Sequence, residues 1–222
     1  MFMKECKTIQ KVIFILAVIC VSITQSWADS WKEIFFADPT IFVENGKYYL
    51  TGTRNREPQG FAILESTDLK HWTVPNGKDL QLILRKGDQA FGEKGFWAPQ
   101  YFKDKRTYYF TYTANEQTVI ASSKSVFGPF RQKEVKPIDA SAKNIDSFLF
   151  KDDDGKYYLY HVRFNKGNYL WVAEFDIKKG SIKPETLKQC MDCTEPWEKT
   201  PNYKSAPVME GPTVMKWDGV YY

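Results

Sequence analysis

After residue 29 the apolar positions come in short runs rich in aromatics, with polar, Gly-bearing turns between them. Val43 to Thr53 reads as a strand, an Asn45-Gly46 hairpin and a second strand, because Asn-Gly accepts the positive φ angles a tight hairpin needs. The same design returns at Lys103 to Thr113, at Lys151 to Val162 with Asp153-Asp154-Gly155 at its turn, and at Lys216 to Tyr222. No stretch beyond residue 29 keeps a 3.6-residue period over three turns, so helices should be few and the fold class is all-β.

Paired aromatics reveal an internal repeat: Tyr48-Tyr49, Tyr108-Tyr109, Tyr157-Tyr158 and Tyr221-Tyr222. Counting back an equal distance from each pair lands on Pro39, Pro99 and Pro212, with Phe148 taking that place in the third copy. The local motifs are Ala37-Asp38-Pro39, Trp97-Ala98-Pro99, Asn144-Ile145-Asp146 and Glu210-Gly211-Pro212, at steps of roughly 50 to 65 residues. Short-stranded repeats of that size are what β-propeller blades look like, each a four-stranded sheet around a central channel. Equivalent positions in successive blades lie around one axis, so Asp38, Asp146 and Glu210 should converge on one funnel, with Trp97 at the same place in the remaining copy. Each acid taken singly could be a turn residue; three at one repeat phase point to a site. Crowded, partly solvated carboxyls have pKa values pushed apart, and glycoside hydrolysis needs one protonated carboxyl and one ionised one.

The N-terminus bears on compartment. Lys4, Lys7 and Lys11 precede an apolar run from Val12 to Val21, and Ser26-Trp27-Ala28 follows, the layout of a signal peptide over residues 1–28. The run is shorter than the roughly 20 residues a spanning helix needs. The expected location is therefore secreted or periplasmic, with no membrane attachment after cleavage; lipid attachment at Cys20 is disfavoured by Ile19 before it. The formal charge of +4 falls to about +2 without residues 1–28, which gives no footprint for nucleic acid. Cys190 and Cys193 form a Cys-x-x-Cys that suits a local disulfide or two free thiols.

Ala37-Asp38-Pro39 ahead of a Tyr-Tyr-Leu hairpin, Ser66-Thr67-Asp68-Leu69-Lys70-His71-Trp72, Phe96-Trp97-Ala98-Pro99, Ile145-Asp146 ahead of Asp152-Asp153-Asp154-Gly155-Lys156-Tyr157-Tyr158-Leu159, and Met209-Glu210-Gly211-Pro212 together resemble glycoside hydrolase family 43, from about Phe36 to the last residue. The resemblance implies a five-bladed propeller that cleaves arabinose, xylose or galactose linkages of plant polysaccharides with inversion. It implies Asp38 as general base, Asp146 as the residue that orients the acid and adjusts its pKa, and Glu210 as general acid. Trp97 becomes a wall of the sugar funnel, and Phe36 and Arg163 are further substrate-binding candidates. The implied partner is a polysaccharide or oligosaccharide. No cofactor or metal ligand can be assigned, although the complete family fold admits a structural calcium near the axis.

Other residues have plainer readings. His71 belongs to an outer-blade turn with Trp72 plugging the gap between sheets, and His161 and Arg163 lie on a return strand whose alternation makes one face polar. Asp152-Asp153-Asp154-Gly155 lacks the later Glu of an EF-hand and is explained by a hairpin turn. Two alternatives stay open: a non-catalytic carbohydrate-binding propeller, whose sites would repeat in every blade, and an inactive remnant. The retaining fructan hydrolases are the nearest enzymatic alternative, but their Asn-Asp-Pro-Asn-Gly signature is missing around Asp38. Repeat arithmetic gives about 290 residues for five blades, so residues 29–222 are expected to form roughly three blades and the start of a fourth, and to be inactive and poorly soluble alone.

Overall fold

The computed structural model describes residues 34–77, 79–199 and 206–222. The signal-peptide reading, with Cys20, lies outside the described residues.

Each hairpin pattern becomes an antiparallel pair. β1 (Ala37–Glu44) and β2 (Lys47–Thr53) meet through Asn45-Gly46, both at positive φ (51° and 73°). Next come β3 (Gly60–Ala62), β4 (Leu64–Ser66) and β5 (Leu82–Arg85). The first blade runs β1-β2-β4, and a bridge from Glu65 to Thr73 supplies its outer edge. β3 pairs with β5 beside it. The second blade is β6 (Trp97–Asp104), β7 (Thr107–Ala114) and β8 (Gln117–Ser123), edged by a Ser122–Arg131 bridge. The third is β9 (Asn144–Lys151), β10 (Tyr157–Phe164), β11 (Asn168–Asp176), β12 (Ser181–Ile182) and β13 (Lys188–Met191), with β12 and β13 both on β11. β14 (Lys216–Trp217) and β15 (Val220–Tyr221) form a further hairpin. Among the described residues helix is confined to three single 3-10 turns, as the missing 3.6-residue period requires.

Apolar side chains hold the blades face to face. Between the first and second, Phe61, Ile83, Leu84, Phe110, Tyr112 and Phe130 are fully buried. The rings of Phe61, Tyr101 and Phe130 stand 5.0–5.1 Å from that of Phe110, at tilted or edge-on angles that suit their quadrupoles. Between the second and third, Leu149, Leu159 and Phe175 pack with Phe102 and Ile120. Trp72 is buried with Leu50, Leu64 and Val74 on the outer face of the first blade. Full burial of one such side chain is worth about 1.5–3 kcal/mol, so these faces fix the angle between blades and with it the position of every inner strand.

Register corrects the repeat read from Tyr pairs. Val43 faces Tyr48 and Lys103 faces Tyr108, but Lys151 faces Tyr157 across a turn one residue longer. The extra residue moves the third copy by one: Ser147, not Phe148, stands where Pro39 and Pro99 stand. Asp38, Ala98, Asp146 and Gly211 then share one phase, and all four have left-handed φ, at 47°, 44°, 50° and 64°. Glu210 is one residue earlier, in phase with Trp97, so the three acids do not occupy a single phase. In these three blades this position opens a β-bulge in which two inner-strand residues oppose one on the return strand: Asp38-Pro39 opposite Gly52, Ala98-Pro99 opposite Tyr112, and Asp146-Ser147 opposite His161. A bulge leaves one N–H outside the ladder, which is why proline fits the second position twice.

Candidate active site

The bulges aim their first side chains toward the axis, and threonines on the return strands brace them. Thr53 donates to Asp38 Oδ2 at 2.5 Å, and its oxygen accepts the N–H of Ala98 in the next blade at 2.9 Å. Thr113, the equivalent residue of the second blade, accepts the N–H of Asp146 at 3.0 Å. The third blade has Val162 in that place, which cannot accept; there the Asp146 carboxylate itself takes the N–H of Gly211. One hydrogen bond per blade thus runs around the axis, and Asp146 is the link that reaches Glu210.

Glu210 sits on a segment pinned to the start of β11. Asn168 and Val208 form a parallel bridge, in which Asn168 N–H donates to Pro207 O and Met209 N–H to Asn168 O, both at 2.9 Å. The Asn168 side-chain amide donates to Glu210 Oε1. The acids feel one another: the Asp146 carboxyl is pushed up to about 6, first by burial, then by the negative charges of Glu210 and Asp38, with the Gly211 N–H opposing the rise. Among the described residues no group of three or more His, Cys, Asp or Glu stands close enough to hold a metal ion.

The remaining candidates are placed as follows. Trp97 is 39% exposed beside Ala98 at the mouth, its ring lying over Gly95, where a Cβ would come within 3.1 Å of it. Phe36 packs on the outer face of the first blade against the Leu50–Trp72 cluster and close over Gly52. Arg163 donates to Asp139 Oδ2 at 2.8 Å and Ser141 Oγ at 3.1 Å, with its guanidinium 5.5 Å from the Trp171 ring centre. That pair is nearly buried, so the cation is engaged within the protein. The polar return-strand face expected around His161 is not solvated. His161 is fully buried, and burial followed by the Arg163 charge lowers its pKa to about 4. Asp68 caps the turn before Trp72 by accepting the N–H groups of Lys70 and His71. Cys190 and Cys193 are both free thiols.

Thr53, Thr113 and Asn168 escaped sequence reasoning. The two threonines carried a signal, each standing at the same offset after its Tyr pair; Asn168 carried none.

Residues 32–222 match the family described as Glycosyl hydrolases family 43. A xylosidase/arabinosidase of Butyrivibrio fibrisolvens is 28% identical over 200 residues, covering 85% of this chain and 36% of its own length. Extracellular endo-alpha-(1->5)-L-arabinanase 1 of Bacillus subtilis (strain 168) is 27% identical, covering 83% of this chain and 57% of the relative. Among solved structures, an endo-1,4-beta-xylanase from Bacteroides thetaiotaomicron VPI-5482 superposes with a TM-score of 0.70 at 40% identity, over 84% of this chain and 61% of that one. A thermostable family-43 glycoside hydrolase gives 0.71 at 28% identity, over 84% and 62%. The chain thus spans between about a third and three fifths of the four relatives just described. Those relatives and a family match over all the described residues agree with the blade order and the acid-bearing bulges: this is part of a β-propeller, and the chain belongs to glycosyl hydrolase family 43.

Proposed function

We propose that the protein hydrolyses O-glycosidic bonds in plant-type polysaccharides or oligosaccharides carrying arabinose, xylose or galactose, outside the cytoplasm and with inversion. The observation that carries this reading is the coupling of three carboxyls at one mouth, with Asp146 raised by burial and then by the charges of Glu210 and Asp38. Asp38, which accepts a hydrogen bond from Thr53, takes a proton from water as that water attacks the anomeric carbon. Glu210, with one oxygen held by Asn168, gives its proton to the departing glycosidic oxygen. Asp146 joins the two: its carboxyl accepts the Gly211 N–H next to Glu210, and it is the acid whose own titration is pushed up to about 6, by burial and then by the charges of Glu210 and Asp38. Trp97 offers an indole face to the apolar side of a sugar ring. The xylosidase and arabinanase activities in the relatives' names support the pentose choice.

The test separates the acid from the base. In the full chain, Glu210→Ala should depress hydrolysis of natural linkages far more than of activated aryl glycosides, which need little protonation. Asp38→Ala should abolish both. Equal losses on the two substrate kinds in Glu210→Ala refute the acid assignment, and proton NMR of fresh product with retained anomeric configuration refutes inversion.

A further inference from the structure

Between the outer strands of the second and third blades lies a cleft of about 410 Å³ unrelated to the acids. Its position follows from strand direction. β11 begins beside Glu210 at Asn168, and the turn after its far end, around Lys178, forms one wall. β8 likewise leaves the mouth at Gln117, and its far end forms the floor. A strand of eight residues puts the cleft roughly 25 Å from the acids, at the opposite end of the propeller.

The walls are basic and held in place. Arg131, Lys133 and Lys136 line one side, Lys178 and Lys179 the other. Glu134, the acid on this lining, is paired with Lys136 at 2.6 Å, and Asp176 lies 3.8 Å from Lys179. Among the described residues Arg131, Lys133 and Lys178 form no ion pair. The loop that bears Lys133 is tied at both ends. Arg131 exchanges two backbone hydrogen bonds with Ser122, and the buried Gln132 accepts from Phe91 N–H and donates to Lys136 O, each at 2.7 Å. In the facing turn Asp176 Oδ1 accepts the N–H groups of Lys178 and Lys179, at 3.0 and 3.1 Å. The floor is neither charged nor purely apolar: Tyr109, Ile120, Ser122 and Ser181 mix a ring, a methyl surface and hydroxyls.

From this we infer that the cleft binds a carboxylate-bearing saccharide chain, a run of uronic acid residues, as an anchoring site remote from the carboxyl mouth. Cations on two facing walls match carboxylates that repeat along a polymer, and a mixed floor suits a sugar ring with one apolar face and an equator of hydroxyls. Low overall charge disfavours a general polyanion surface. The choice of a saccharide rests on the glycosidase reading above. Anchoring on acidic polymer raises the local concentration of neighbouring neutral linkages at the mouth, so turnover on insoluble mixed polysaccharide gains without any new catalytic contact.

Affinity electrophoresis of the full chain through gels with polygalacturonate, linear arabinan, dextran sulfate or duplex DNA tests this. The wild type should be retarded by polygalacturonate at low salt, at least tenfold more strongly than by dextran sulfate or DNA at equal charge. K133E/K178E should weaken retardation at least tenfold and leave hydrolysis of a small neutral aryl glycoside unchanged. No retardation by polygalacturonate, equal retardation by all three polyanions, or an unaffected double variant overturns the cleft assignment. Retardation lost in the variant, in a chain without hydrolysis, upholds the cleft while the glycosidase reading fails.

Discussion

The third bulge places two abnormal titrating groups across one β-bridge, and their pH effects have opposite signs. His161 is neutral in both states above pH 6.5, its ordinary value; below that the unfolded chain takes a proton that the folded chain refuses until about pH 4. Folded stability therefore falls as pH drops through this window, by about 2 kcal/mol at pH 5 and about 3 kcal/mol at pH 4. Asp146 works the other way. Its folded carboxyl protonates near 6 while the unfolded one waits until 3.8, so stability rises as pH falls from above 6 toward 4. That gain is about 1 kcal/mol at pH 5 once its partial exposure is allowed for. In the wild type the two largely cancel, leaving a net loss of about 1 kcal/mol or less between pH 8 and pH 5. Urea denaturation of the full chain at both pH values resolves them. His161→Leu should gain about 1 kcal/mol on going to pH 5, and Asp146→Asn should lose about 2 kcal/mol, each measured against its own value at pH 8, so that any constant packing cost drops out. A wild type and His161→Leu that respond to pH within about 0.5 kcal/mol of each other would refute the reasoning.

Three further outcomes follow from the bulges. Ala98→Gly relieves a left-handed alanine whose side chain bears no charge, and should stabilise the fold by about 1 kcal/mol in the same denaturation assay. Thr53→Val removes the donor to Asp38 and the acceptor of Ala98 N–H; it should cost about 2 kcal/mol and lower kcat more than it raises KM, whereas Ser in that place should retain most activity. Gly52→Ala puts a Cβ 2.6 Å from Phe36 Cβ and 2.7 Å from the Ala37 carbonyl, and should destabilise by about 3 kcal/mol, read as a lower urea midpoint with an unchanged slope.

Much of the architecture was legible because it rests on local chemistry. Asn45-Gly46 can only turn one way comfortably, and the Tyr pairs mark the second strand of every blade, so the hairpins and the blade repeat follow from spacing. The phase of Glu210 did not follow, because the one-residue extension within Asp152 to Lys156 is invisible to a ruler laid on Tyr pairs; only hydrogen-bond register exposes it. The polar face expected around His161 is buried for a related reason. Alternation separates the two faces of a strand but cannot say that both are covered, and in a propeller both faces of a middle blade are packed. Arg163 carried no sequence sign of Asp139, a partner in the preceding loop that the fold alone brings beside it.

The left-handed residue that opens each bulge has a consequence for how such a site can change. Its left-handed φ is the same under two aspartates and an alanine, so the conformation belongs to the blade and is present before any chemistry is. A side chain exchanged there arrives already pointed at the axis, with no loop to rebuild. The ring therefore acts as a row of identical sockets, and which sockets hold an acid is a matter of single substitutions with the fold left standing.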